Sequence, residues 1–142
     1  MQGVELIMHN FNHIKLDDKV GVDPNPGALA DYVIGSDEFF EINNKKFDII
    51  IEDSCHLLET QVNVIETVHS YLNPGGMLII EDIFPLIKNK DNRGHGDYVE
   101  EELSEAIEPF KKYYSDILFI GPQHKYKYTG LYGETRMLIL YK

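Results

Sequence analysis

The sequence holds a single cysteine, Cys55, so no disulfide can close within the chain and nothing calls for an oxidising compartment. Basic residues are scarce: 13 against 24 acidic ones, for a net charge of −11. A phosphate-backbone partner demands the reverse balance, because nucleic-acid binders carry basic patches, and an anionic membrane is disfavoured for the same reason. No apolar run approaches the roughly 20 residues that span a bilayer. The N-terminus lacks the basic-then-apolar layout of a signal peptide. The expectation is a cytoplasmic protein with no nucleic-acid and no membrane partner. Gly-x-Gly-x-x-Gly occurs nowhere, which argues against a dehydrogenase. Internal repeats and low-complexity tracts are absent too. What is there, 142 residues that are 43% hydrophobic and 11% aromatic, makes one globular domain large enough for a core.

The chain is organised around Lys46 to His56. Asp48-Ile49-Ile50-Ile51 is a short β-branched run without polar alternation, the pattern of a strand buried on both faces in a parallel sheet. It stops at Glu52-Asp53, and His56 follows three residues later. A second copy of the pattern is Met77-Leu78-Ile79-Ile80 followed by Glu81-Asp82. Ligands of open α/β sheets bind outside the carboxyl ends of the strands. If the two strands are parallel neighbours, Asp53, Glu81 and Asp82 converge at that end.

In order, Val4, Ile7, Met8, Phe11 and Ile14 have helical spacing, with a short strand at Val4 to Met8 as the rival reading. Val20 to Val22 reads as a strand ending in Asp23 and closed by the turn Pro24 to Gly27. Ala30 to Ile34 is a weak strand. Ser36 caps a helix from Asp37 to Ile42, with acids in the first turn as the dipole prefers. Leu57 to Leu72 is the clearest helix, with Leu58, Val62, Ile65, Val68 or His69, and Leu72 inward, and Asn73-Pro74-Gly75-Gly76 as its stop. Ile83 to Gly96 is a polar, glycine-hinged lid candidate. Tyr98 to Tyr113 reads as a long helix, Ile117 to Ile120 as a strand, 123 to 133 as a Tyr- and Gly-rich loop and Thr135 to Lys142 as the last strand. Strands alternate with helices until the final two strands, so the class is α/β with a mostly parallel sheet and one antiparallel strand. Cys55 has no basic partner and reads as a small packing residue. His95 and His124 sit in loops that can reach a substrate.

Asp23 after Val20-Gly21-Val22, the Phe47-Asp48-Ile49-Ile50 strand, Asn73-Pro74-Gly75-Gly76 and the closing strand pair together resemble a class I S-adenosylmethionine-dependent methyltransferase. The resemblance covers nearly the whole chain and rests on the order and spacing of the motifs. Asp53-x-x-His56 with Ile80-Glu81-Asp82 further resembles the metal-dependent O-methyltransferases of macrolide-antibiotic sugars and the related cephalosporin-biosynthesis group. That resemblance implies Mg2+ held by Asp53, Glu81 and Asp82, with His56 as the catalytic base. It also implies that Asp23 binds the cofactor ribose and that Ser36 and Asp37 lie at the adenine edge, with Asp53 also in the cofactor site. Three neighbouring carboxylates repel unless a cation sits between them, and oxygen-only ligands favour Mg2+ or Ca2+ over zinc. Such an ion lowers the pKa of a bound hydroxyl, and an imidazole titrating near neutrality suits proton removal.

The family opens with a strand and Glu-x-Gly-x-x-x-Gly. This chain has no such motif, and Met1-Gln2-Gly3 reads as its tail, with Gly3 as the last cofactor-binding glycine. The expected fold is therefore a Rossmann-like, mostly parallel sheet with one antiparallel C-terminal strand and the first strand missing. It forms a single, N-terminally truncated domain over 1–142. Unpaired buried backbone groups cost roughly 1–3 kcal/mol each, so Val20 to Val22 is expected to pair directly with Asp48 to Ile51, with a homodimer as a second adjustment. The expected function is methyl transfer from S-adenosylmethionine to a hydroxyl of a small molecule, a sugar or polyol, with metal assistance. The alternative is a catalytically inactive remnant of the fold serving as a binding or assembly module.

Overall fold

The computed structural model describes residues 14–83, 98–121 and 136–142. Within them the elements run α1 (Ser36–Ile42), β1 (Phe47–Glu52), α2 (Leu58–Val68), β2 (Leu72–Ile83), α3 (Glu100–Ala106), β3 (Asp116–Ile120) and β4 (Arg136–Tyr141). Short 3-10 turns cover Pro26–Ala28, His69–Tyr71 and Glu108–Tyr113. The four strands form one sheet in the order β1-β2-β4-β3. β1 and β2 are parallel, and β4 runs against both β2 and β3. The sheet is thus the expected mostly parallel one, with the C-terminal strand antiparallel, inserted between β2 and β3 rather than added at an edge. No helix among the described residues is long and apolar enough to cross a membrane.

One face of the sheet carries the core. Ile50, Leu78, Ile80, Leu138 and Leu140 are buried there, alternating with half-buried neighbours as the period of two requires. α2 covers this face with Gln61, Val64, Ile65 and Val68, an i, i+3, i+4, i+7 stripe. The sequence expectation put Leu58 and Val62 on that stripe; both are only partly buried. The stripe is rotated because a polar residue, Gln61, occupies its first position and is fully enclosed.

Several expected boundaries move for identifiable reasons. Val20 to Val22 and Ala30 to Ile34 are not strands. They meet in one parallel bridge, Val22 to Tyr32, with Tyr32 N–H donating to Gly21 O and Asp23 N–H to Tyr32 O. Too few residues separate them for a longer ladder. Nor does Val20 to Val22 pair with β1, so the direct closure of those two segments does not occur among the described residues. Gly35, not Ser36, is the N-cap of α1; Ser36 is its first residue. The helix expected from Leu57 to Leu72 ends as α-helix at Val68, and Leu72 already belongs to β2. The helix expected from Tyr98 to Tyr113 breaks near Pro109, whose missing N–H and ring forbid continuation. The expected helix from Val4 to Ile14, Gly3, the lid candidate with His95 and the loop with His124 lie wholly or almost wholly outside the described residues.

Asn73-Pro74-Gly75-Gly76 does not simply end a helix. It is a detour inside β2. Phe47 pairs with Leu72 and Ile49 with Met77, so four residues of β2 face one of β1. Asn73 Nδ2 donates to Asp48 Oδ1 at 2.9 Å, which holds the Asp48 carboxyl below its ordinary pKa. Gly75 N–H donates to Lys142 O at 3.0 Å and Lys142 N–H to Gly76 O at 2.9 Å, locking the detour to the chain end. A Cβ on Gly76 would lie 2.9 Å from Asp48 O, 3.0 Å from Asn73 O and 3.2 Å from Phe47 O, all backbone atoms.

Two predictions follow from this packing. Gly76→Ala should destabilise the fold by about 1–3 kcal/mol, since backbone cannot yield as a side chain can. Gly35→Ala, where no atom lies within 4 Å, should stay within about 0.5 kcal/mol. Urea unfolding of both variants measures the contrast. Tyr114 is the second case. Its hydroxyl donates to Ile65 O at 2.6 Å, and burial pushes the phenol pKa upward from 10.0. A raised folded-state pKa means this contribution is whole below the unfolded value and is lost as pH rises beyond it. Tyr114→Phe should therefore flatten the alkaline loss of stability in unfolding curves taken from about pH 8 to pH 11.

Candidate active site

The carboxyl ends of β1 and β2 lie side by side, with Glu52 paired to Ile80. Asp53 follows β1 directly and is 5% exposed; His56, three residues on, is also 5% exposed. Asp82 comes from the end of β2, its side chain 34% exposed. One donor atom from each of these three residues lies within 4.8 Å of the others. His56 Nε2 stands 3.7 Å from Asp53 Oδ1 and 3.9 Å from Asp82 Oδ2. The expected convergence of acids is thus real for Asp53 and Asp82. Glu81 does not belong to the group, and His56 takes the third place.

Backbone geometry explains how Asp82 arrives there. In the β2–β4 ladder Ile80 pairs with Leu138 and Ile83 with Arg136, so Glu81 and Asp82 together face Met137 alone. This is a β-bulge, a device that re-aims side chains and is over-represented next to active sites. Asp82 adopts φ +57° and His56 φ +53°. Among the described non-glycine residues only Leu29 shares this left-handed region, so two of three cases belong to one cluster. Each such conformation costs of order 1–3 kcal/mol and persists only where the surroundings over-determine it.

The surroundings do so through a network that sequence reasoning missed. Glu52 is 4% exposed and faces the core side of β1. Its Oε1 accepts from Ser54 N–H at 3.1 Å and from the Ser54 hydroxyl, and its Oε2 accepts from Gln61 Nε2 at 2.7 Å. Three donors on one carboxylate offset the cost of burying it. The network fastens the turn that carries Asp53 and His56 to the first turns of α2. The available signal was Gln61 sitting on the apolar stripe 61, 64, 65, 68. Cys55, expected to pack, is exposed, its thiol 3.5 Å from Thr60 Oγ1.

The expected cofactor residues divide. Asp23 Oδ1 accepts from Asn25 N–H at 2.8 Å, which builds the turn after Val22; the carboxylate retains further lone pairs for a ligand. Ser36 and Val22 line a small cavity with Ile51, Glu52 and Ser54, which puts them at the same end of the sheet as Asp53. Asp37 instead accepts from Asn63 Nδ2 of α2 at 3.2 Å and lines an open groove of about 730 Å3 beside that helix with Glu59 and Glu66.

Gln61→Leu should keep the volume but leave Glu52 short of a donor. Removing one partner of a buried, charged group costs about 1–3 kcal/mol. Chemical unfolding checks this, and Gln61→Glu, which sets carboxylate against carboxylate, should be worse.

No protein-family model and no curated protein matches the chain in sequence. Solved structures do match in fold. A SAM-dependent methyltransferase from Archaeoglobus fulgidus superposes with a TM-score of 0.67 at 14% identity, over 99% of this chain and 85% of that one. The N-methyltransferase NodS from Bradyrhizobium japonicum WM9, in complex with S-adenosyl-L-homocysteine, gives 0.62 at 12% identity, over 99% of this chain and 77% of that one. A possible exported protein from Bordetella parapertussis gives 0.66 at 11% identity; the chain spans 61% of its length. At these identities the likeness is one of architecture, and this chain has the Rossmann-like α/β fold of SAM-dependent methyltransferases.

Proposed function

We propose that the protein is a SAM-dependent methyltransferase that methylates a hydroxyl of a small molecule, of the sugar or polyol class. One observation carries the reading. The fold gathers Asp53, His56 and Asp82 at the carboxyl ends of β1 and β2, where α/β sheets bind their ligands, and Val22 and Ser36 line a small cavity with their chain neighbours Glu52 and Ser54.

S-adenosylmethionine supplies an electrophilic methyl on a sulfonium. Asp23 accepts hydrogen bonds from the ribose hydroxyls, as an acid in this place does in nucleotide-binding α/β folds. Ser36 borders the same end of the cleft. The acceptor oxygen attacks the methyl carbon, the carbon–sulfur bond breaks towards sulfur, and the hydroxyl proton must leave. His56 takes it at Nε2, and the flanking carboxylates of Asp53 and Asp82 stabilise the imidazolium that results. Metal assistance through three carboxylates is a different matter. The residues do not fit that set, because Glu81 is not with Asp53 and Asp82.

Calorimetry with S-adenosylhomocysteine tests the reading. One molecule should bind per chain, and Asp23→Ala should weaken it about 10–100-fold, the worth of hydrogen bonds to a charged group. Absence of binding at millimolar ligand would leave the alternative, a module that keeps the fold without turnover.

A further inference from the structure

The strand order β1-β2-β4-β3 makes β3 an edge, with β4 standing between it and the strands that carry Asp53 and Asp82. β3 pairs with β4 residue for residue, from Asp116 opposite Tyr141 to Ile120 opposite Met137, and no described strand lies on its other side. Side chains alternate across it. Ile117 and Phe119 pack against the core, so Leu118 and Ile120 face the other way. These two are 41% and 38% exposed, and Met137, opposite Ile120 on β4, is 38% exposed. Three exposed apolar side chains thus adjoin on the face away from the core. Natural edge strands are guarded by charge, by proline or by a bulge. Within β3 the run Ile117-Leu118-Phe119-Ile120 carries no charge and no proline, and its register with β4 never shifts.

We propose that β3 is a self-association edge: it pairs antiparallel with β3 of a second copy of this chain, centred on Leu118, and joins two four-stranded sheets into one. Charge selects this occupant and this register. Asp116 is the only charged residue of β3. In a twofold antiparallel pair centred on Leu118, Asp116 stands opposite Ile120 of the partner subunit. The two Asp116 carboxyls then lie about 14 Å apart along the ladder, at roughly 3.4 Å per residue, beyond a screening length of about 8 Å. A parallel, in-register pair would instead set them one strand spacing apart, about 4.8 Å. The twofold axis stands perpendicular to the sheet, so the apolar side chains of both copies form one strip on one face. Such an interface is isologous: each copy offers the other the same uncharged edge. The net charge of −11 opposes association of two copies, and it does so least where the contact itself holds no acid at its centre. The inference does not rest on the methyltransferase reading.

Sedimentation equilibrium of the full chain tests the proposal. A short strand-edge contact lies at the small, weak end of interface sizes, so dimer should be populated at about 100 μM chain and dissociated near about 1 μM. Because the two copies carry like charge, raising NaCl from about 50 mM to about 500 mM should tighten the dimer. Leu118→Lys and Leu118→Glu each set like charges opposite one another at the twofold, so each variant should be monomeric; mixed in equal amounts they should dimerise again. Ile42→Lys, at an apolar side chain 68% exposed elsewhere on the surface, should leave the mass unchanged. Circular dichroism checks that each variant is folded. Amide exchange of the unaltered chain needs no variant: across residues 116–120 it should be slower at about 100 μM than at about 1 μM. A monomer at the higher concentration, equal exchange rates, a dimer that survives both Leu118 substitutions, a mixture that stays monomeric, or loss of the dimer in Ile42→Lys would overturn the proposal.

Discussion

The parallel pairing of β1 with β2 is the constraint on which the rest depends. Ile49 to Glu52 lie against Met77 to Ile80 in unbroken register. That register brings two acidic strand ends to one place, and irregularities on either side tune it. On the amino side the Asn73 to Gly76 detour absorbs extra residues before pairing resumes. On the carboxyl side the bulge at Glu81 and Asp82 ends it. Because a shift of one residue exchanges the two faces of a strand, the detour and the bulge are what decide which acid enters the cluster. Asp82 enters and Glu81 does not.

This explains which parts of the molecule were legible in the sequence. The strands Phe47–Glu52, Asp116–Ile120 and Arg136–Tyr141 were visible because each is an uninterrupted apolar or alternating run, and run length is a local property. The convergence of Asp53 with Asp82 followed from two such runs being parallel. The assignment of Glu81 failed because a bulge depends on the partner strand: nothing in Ile80 to Ile83 says that only Met137 stands opposite Glu81 and Asp82. The short segments Val20 to Val22 and Ala30 to Ile34 failed for a related reason. Segments of three to five residues built on Val, Tyr and Ile have the right composition for a strand, but they meet in a single bridge, and the Asp31 carboxylate accepts from Gly21 N–H. Gln61 was missed because a polar residue on an apolar stripe looks like an error of phase until its partner, Glu52, is known to be buried beside it.

Glu52 and Gln61 also account for how the strain at His56 is held. A left-handed backbone at a histidine relaxes unless something opposes it. Ser54, two residues earlier, is bound through both its backbone and its hydroxyl to Glu52, and Glu52 is bound to Gln61 on α2. The turn is therefore anchored at one end by the strand and at the other by the helix that begins at Leu58. The anchoring groups lie on the core side and the strained residues meet Asp82. One buried carboxylate thus does structural work while its sequence neighbour, Asp53, faces the cluster.

The division of labour between these adjacent acids has an electrostatic logic. Glu52 is enclosed by donors from its own chain, so its charge is answered locally and stays with the fold. Asp53 and Asp82 are answered by His56 at distances that stop short of contact. Glu52 is thus tied into the fold, whereas Asp53 and Asp82 are set around an imidazole. The structure places Asp53, His56 and Asp82 together at the carboxyl ends of the strands and Glu52 against the core, which is the arrangement that chemistry at the strand ends requires.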